Sequence, residues 1–127
     1  MSDPASYRYS DSHEWFHADG DVVTMGITKH AADELTDITY VEMKAPGTSV
    51  GAGESLGEVE SVKTTSDVYT AVAGEIIDVN DAVTDDPALL NRDPLQAGWL
   101  CRVRTEDAGP LESLMDHATY TEKFPSE

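Results

Sequence analysis

Apolar and polar residues alternate with a period of two along most of this chain, the pattern of half-buried strands. Within 21–27, Val23, Met25 and Ile27 point one way and Val22, Thr24 and Gly26 the other. Within 99–104, Trp99, Cys101 and Val103 share a face opposite Leu100, Arg102 and Arg104. The same reading predicts strands over 13–18, 37–43, 54–62, 67–72 and 74–79. Glycines at 47, 51, 53, 57 and 74 punctuate them, as the tight corners of a small barrel or sandwich require.

Helical signals are short. Thr28 can cap a turn in which Ala31 and Leu35 meet at i,i+4. Asp86-Pro87 starts another brief turn, with proline at the first helical position. After Gly109-Pro110, residues Leu111, Leu114 and Met115 form one stripe that should be buried. The spacing from Thr119 to Glu122 predicts a capping box for a last turn carrying Tyr120 and Phe124. Segment 80–97, rich in Asp, Asn and Pro, reads as a long surface connection. Together these predict one β-rich domain over 1–127 with helical trimmings.

At 127 residues the chain can bury one modest core. It has no apolar run long enough to span a bilayer and no basic stretch leading into an apolar one. Its one cysteine, Cys101, cannot form an internal disulfide, which favours a reducing compartment. The expected location is the cytoplasm; a trimmed organellar form in the mitochondrial matrix would read the same way. Asp and Glu number 25 against 8 Lys and Arg, a net charge of −17. Such a surface repels phosphate backbones and anionic lipids, so no nucleic-acid or membrane partner is expected. It steers toward basic patches on proteins, although a merely solvated surface would have the same composition.

The chemistry on offer is sparse. His13, His17, His30 and His117 share no metal-ligand spacing, and no paired cysteines accompany them. Cys101, in phase with Trp99 and Val103, reads as a small buried hydrophobe; a thiol nucleophile there is the alternative from the enzyme class. There is no Gly-rich phosphate loop and no nucleophile elbow. Met43-Lys44-Ala45-Pro46 lacks the methionine that would follow a biotinyl lysine, and reads as a strand end.

Segment 47–80 is more informative. Two strand-like arms, 50–59 and 68–79, flank the polar stretch Glu60-Ser-Val-Lys-Thr-Thr-Ser-Asp67, making a hairpin with Lys63 at its tip. A solvated lysine is a poor catalyst by itself. It is well placed for acylation by a modifying enzyme, which needs an accessible amine on a rigid turn. An ordinary surface lysine would share that exposure.

The motif Gly-x-x-Val-x-x-Gly-Glu-x-Leu-Gly-x-Val-Glu-Ser-Val-Lys, followed by Ser-Asp-Val-Tyr-x-x-Val-x-Gly-Glu, strongly resembles the lipoyl-lysine hairpin of glycine cleavage H proteins. Ser12-His-Glu-Trp15, Gly26-Ile-Thr-x-His-Ala31, Asn80, Asp85-Asp-Pro87, Leu90-Asn91, Asp93-Pro94 and Gly98-Trp-Leu100 extend the resemblance in one register from about Tyr9 to Phe124. Two positions depart from it. Lys29 stands where the family usually has an acid, and Thr36 follows the helix leucine where it usually has glycine. Without glycine a left-handed helix C-cap is disfavoured, so the turn is expected to close differently.

The resemblance implies a mainly β, lipoyl/biotinyl-type barrel-sandwich hybrid: two small antiparallel sheets with short helices and a helical C-terminus. It implies a monomeric, non-catalytic carrier with lipoate joined to Lys63 by a lipoylating enzyme. The carrier would take an aminomethyl group from the P protein (glycine decarboxylase) and pass it to the tetrahydrofolate-dependent T protein (aminomethyltransferase). The L protein (dihydrolipoamide dehydrogenase) would then reoxidise it. It implies that Ser12, Glu14 and Asp67 shelter the loaded arm, although Ser12 and Glu14 could be strand-entrance residues and Asp67 a turn former. A lipoyl carrier for another complex, or a lipoate relay, stays open beside this reading.

Overall fold

Val23, Met25 and Ile27 are buried on the core side of a strand over Val22–Ile27, as the alternation predicts. The computed structural model that places them describes residues 7–10, 12–95, 97–107 and 109–124. Among these, strands β1 (Arg8–Tyr9), β2 (Glu14–Asp19), β3 (Val22–Ile27), β9 (Cys101–Arg104), β8 (Gly74–Val79) and β5 (Ser49–Val50) line up in that order in one sheet. A second sheet has the order β4 (Ile38–Met43), β6 (Ser55–Ser61), β7 (Thr65–Tyr69). Every pairing is antiparallel, and neither sheet closes on itself. The arms of segment 47–80 are shared between the sheets: β6 and β7 form the smaller one, while β5 and β8 lie at the far side of the larger.

Apolar faces of both sheets meet in one core. Phe16, Met25, Ile76, Cys101 and Val103 come from the larger sheet and Val41, Leu56, Val59 and Val68 from the smaller. Burying a side chain of this size contributes about 1.5–3 kcal/mol each, so the alternation sets the register. A second, aromatic cluster lies beside β1: Tyr7 stacks on Trp15 with centroids 4.6 Å apart, and Tyr9 on Tyr120 at 4.8 Å. Tyr120 belongs to α4 (His117–Lys123).

Several expectations need correction. Segment 80–97 carries two helices, α2 (Asp81–Asp85) and α3 (Leu89–Arg92), whose Val83 and Leu90 are fully buried. Asn80 caps α2, and its Nδ2 donates to the Ala97 and Trp99 carbonyls. Asp86-Pro87 does start a turn, with Asp86 O accepting from Leu89 N at 3.0 Å, but Pro87 stands ahead of α3 and not at its first position. Trp99 precedes the strand, and the Arg102 guanidinium lies 4.0 Å over its ring, so it leaves the Cys101–Val103 face. Strand 67–72 runs instead over Thr65–Tyr69; beyond it the Thr70 hydroxyl bonds both backbone groups of Val72 and turns the chain. Leu111 is buried on a 3₁₀ turn (Gly109–Ser113), but Leu114 and Met115 are half-buried. Asp116, not Thr119, caps α4; its carboxylate accepts from Thr119 N at 2.8 Å, which pulls its pKa below the usual range.

Cys101 is wholly buried, and desolvation pushes its thiol up to about 12. The nucleophile alternative loses its footing, because a thiolate does not form there near neutral pH. Native protein should resist alkylation by iodoacetamide that labels it at once in denaturant; fast native labelling would contradict this burial. The raised value makes the thiol's contribution to stability complete below the unfolded value near 9 and lost as pH rises toward about 12. Cys101→Ala should therefore lose less stability than the parent over that window, a difference readable from denaturation midpoints.

Candidate functional site

β6 and β7 pair through Glu60↔Thr65, Val59↔Ser66 and Glu58↔Asp67, which leaves Ser61, Val62, Lys63 and Thr64 to turn the hairpin. The Ser61 hydroxyl accepts from the backbone N–H groups of both Lys63 and Thr64 at 3.1 Å, and Ser61 N donates to Thr64 O at 2.8 Å. A serine that caps its own turn holds the lysine's backbone in one geometry. The side chains of Val62 and Lys63 stay exposed, Val62 at 70%. At Gly57, φ is +155° and a Cβ would collide with the backbone of Glu42 and Met43, so glycine lets β4 approach the hairpin closely.

The tip leans on the connection that follows α1 (Lys29–Leu35). Val62 N donates to Asp37 O at 3.1 Å, and Lys63 Nζ to Glu34 O at 2.9 Å. A cation at the last carbonyls of a helix is favourably placed. Thr36, expected to avoid a left-handed conformation, takes φ +63°, ψ −133°. Its N–H closes the helix on Ala32 O and Asp33 O, and its hydroxyl donates to Leu35 O. The other departure, Lys29, sits in an exposed bridge to Asp33 at 2.9 Å, which contributes little.

The second focus is Glu14, 2% exposed at the start of β2. Its Oε1 accepts from the hydroxyls of Ser10 at 2.6 Å and Ser12 at 2.5 Å, and its Oε2 from Tyr69 N at 3.2 Å. Ser10, Ser12, Glu14, Phe16, Gly53 and Tyr69 are among the residues around an open cavity of about 330 Å³ at this point. Ser12 and Glu14 are thus brought together. Asp67 is not among the residues of that cavity; it lies by Met43, Lys44 and Gly57 in a neighbouring cleft. Tyr69 joins the two, with its N–H on Glu14 and its hydroxyl on Asp67 at 3.4 Å. Ser10 and Tyr69 were not legible as site residues, though Tyr69 shares the Asp67 face by strand alternation.

Glu42, Glu58 and Asp67 stand side by side across the three strands of the smaller sheet. Glu42, chiefly by its charge, raises the phenol pKa of nearby exposed Tyr40, with Glu60 and Glu58 adding to it. The acidity of the composition is therefore concentrated partly beside the hairpin that bears Lys63. Among the described residues, no three His, Cys, Asp or Glu side chains converge as a metal site needs.

The glycine cleavage H-protein family matches residues 7–127. The mitochondrial glycine cleavage system H protein 2 of Arabidopsis thaliana is 48% identical over 120 residues, covering 94% of this chain and 76% of that protein. The glycine cleavage system H protein of Thermus thermophilus is 45% identical over 127 residues, covering 100% and 99%. A crystal structure of a glycine cleavage system H protein from Mycobacterium marinum superposes with a TM-score of 0.85 at 39% identity, covering 95% of this chain and 98% of that one. With two open antiparallel sheets and few short helices as well, the chain belongs to the glycine cleavage H-protein family.

Proposed function

We propose that this protein is a non-catalytic carrier of the glycine cleavage system, with lipoate joined through an amide to the Lys63 amine. The observation that carries the reading is the tip itself, where a backbone tied by Ser61 presents an exposed lysine. An attaching enzyme needs both the rigid turn and the free side chain. When attached, the dithiolane supplies the sulfur and redox chemistry that this chain lacks, for glycine decarboxylase, the tetrahydrofolate-dependent aminomethyltransferase and dihydrolipoamide dehydrogenase to use in turn. The protein contributes placement and a high local concentration at each docked site. Its acidic sheet face favours partners with basic surfaces. It would work as a monomer wherever those enzymes are found, in a bacterial cytoplasm or an organelle matrix. No helix among the described residues is long and apolar enough to cross a membrane.

Ser12, Glu14 and Asp67 are proposed to hold the amine of the loaded arm. Seen from Lys63, Asp67 lies nearer along β7 than Tyr69, whose N–H meets Glu14, so an arm attached at the tip would come to Asp67 first. Glu14 offers a charged acceptor in a shielded place and the Ser12 hydroxyl can turn to accept as well. Exposed Asp67 would guide the arm more than it holds it. Drawn into that cavity, the loaded group would be less exposed to water until a partner takes it.

Lys63→Arg should fold like the parent, by circular dichroism, and accept no lipoyl group from a lipoate–protein ligase. Modification of Lys29, Lys44 or Lys123 in that variant would sink the assignment. Separately, protein loaded with methylamine should release ammonia roughly tenfold or more faster in Glu14→Gln, the size expected for losing a charge-assisted bond. Asp67→Ala should change the rate less. Equal rates in parent and Glu14→Gln would remove the carboxylate from the shelter while leaving Lys63 its role.

A further inference from the structure

We propose that Asn91 is a positioning residue for Lys63, acting through the turn on which the hairpin tip rests; the functional part of this inference rests on the carrier reading above. Asn91 lies on α3, and its side-chain amide spans the turn after α1. Its Nδ2 donates to Thr36 O at 2.5 Å and its Oδ1 accepts from Ile38 N at 3.0 Å. The two bonds require opposite ends of the amide, so the backbone itself fixes which way the group faces. Between the bonded residues sits Asp37, whose carbonyl receives Val62 N at 3.1 Å. Three residues before it, the Glu34 carbonyl receives Lys63 Nζ at 2.9 Å.

The turn needs such a clamp. Thr36 is β-branched and sits at φ +63°, ψ −133°, a conformation that glycine adopts readily and threonine rarely. Left to itself, a threonine there relaxes toward negative φ, which swings the Thr36–Asp37 peptide and with it displaces the Asp37 carbonyl one peptide further on. The local bonds of Thr36 end the helix but do not reach past residue 36. Among the described residues, the Asn91 amide hydrogen-bonds the backbone on both sides of Asp37. The support of the tip is therefore set by a residue more than fifty positions away in sequence, which touches neither Val62 nor Lys63 through any of these bonds.

Presentation matters because amide formation is directional. The Lys63 nitrogen bonds to the acyl carbon of an adenylated lipoate, the bond to the adenylate phosphate breaks, and a proton leaves the nitrogen. A tip that wanders presents that nitrogen in fewer productive encounters.

The test compares parent, Asn91→Ala, Asn91→Asp and Asn91→Ala/Thr36→Gly. Asn91→Asp keeps an acceptor for Ile38 N but loses the donor to Thr36 O. The first readout is amide hydrogen exchange at Val62, with the amides of β3 as internal reference. Asn91→Ala and Asn91→Asp should each speed Val62 exchange about tenfold, the scale of one or two lost hydrogen bonds, and leave β3 unchanged. Glycine at 36 should restore Val62 protection in the Asn91→Ala background, because it holds a positive φ without help. The second readout is kcat/KM for lipoate attachment by a lipoate–protein ligase with ATP, which should fall and recover in parallel. Unchanged Val62 exchange, acceleration shared equally by β3, or no recovery with Thr36→Gly would each overturn the proposal. If the parent itself accepts no lipoate, the carrier reading fails, and the exchange data still decide whether Asn91 positions the tip.

Discussion

Glu14 carries a carboxylate into the seam between the two sheets, where only 2% of the residue meets solvent. A carboxyl group so placed is tolerated only if hydrogen-bond partners replace its water, and they must hold still to do so. Two come from the entrance of β2 itself, the hydroxyls of Ser10 and Ser12, and a third from the other sheet, the N–H of Tyr69 at the end of β7. This one side chain thus pins the start of β2 to the strand that leads back to Lys63. Leaving a buried polar group without one of its hydrogen-bond partners typically costs about 1–3 kcal/mol, so the seam cannot drift far. The carboxyl proposed to shelter the arm is thus also one that helps align the sheets.

The other end of the hairpin obeys a different demand. The proposed carrier role calls for a stiff base and a loose side chain, and the tip divides these between backbone and Lys63. Ser61 ties the turn internally, and Asp37 ties it to the body. The ammonium has a partner at the Glu34 carbonyl but remains exposed, so an enzyme can take it at small cost. The acidic row of Glu42, Glu58 and Asp67 lies on the outer side of the same sheet. Like charges in register are mildly destabilising in isolation, which suits a face completed by basic residues of a partner.

What could be read from the sequence follows from the range of each force. Strand alternation is local, so Val23, Met25, Ile27, Val41, Val59 and Ile76 declare their faces in any window of five residues. The hairpin and its lysine were legible for the same reason, with the ordered motifs around them supplying the family. Helices α2 and α3 were hidden because five- and four-residue helices have almost no period. They exist through the Asn80 cap and the burial of Val83 and Leu90, which are tertiary facts. Trp99 left its expected face because it precedes the strand and packs against the aromatic cluster beside β1, which only folding assembles. Thr36 avoids the left-handed helical cap as expected, but the positive φ with which it closes the turn instead was not legible, since its surroundings include bonds from a distant asparagine. Ser12 and Glu14 are two residues apart and their contact was within reach of local reasoning. Which cavity Asp67 faces depends on how two sheets pack, and no local pattern contains that.

The central claim is that Lys63 exists in the cell as a lipoyl amide. Intact mass measurement of the protein isolated from its own cells, followed by peptide mapping, tests it without any reconstituted partner. The account predicts a population carrying a single lipoyl group, located on Lys63 and on no other lysine. A chain whose Lys63 is unmodified throughout growth on glycine, or whose lipoyl group lies on Lys29, Lys44 or Lys123, would contradict it.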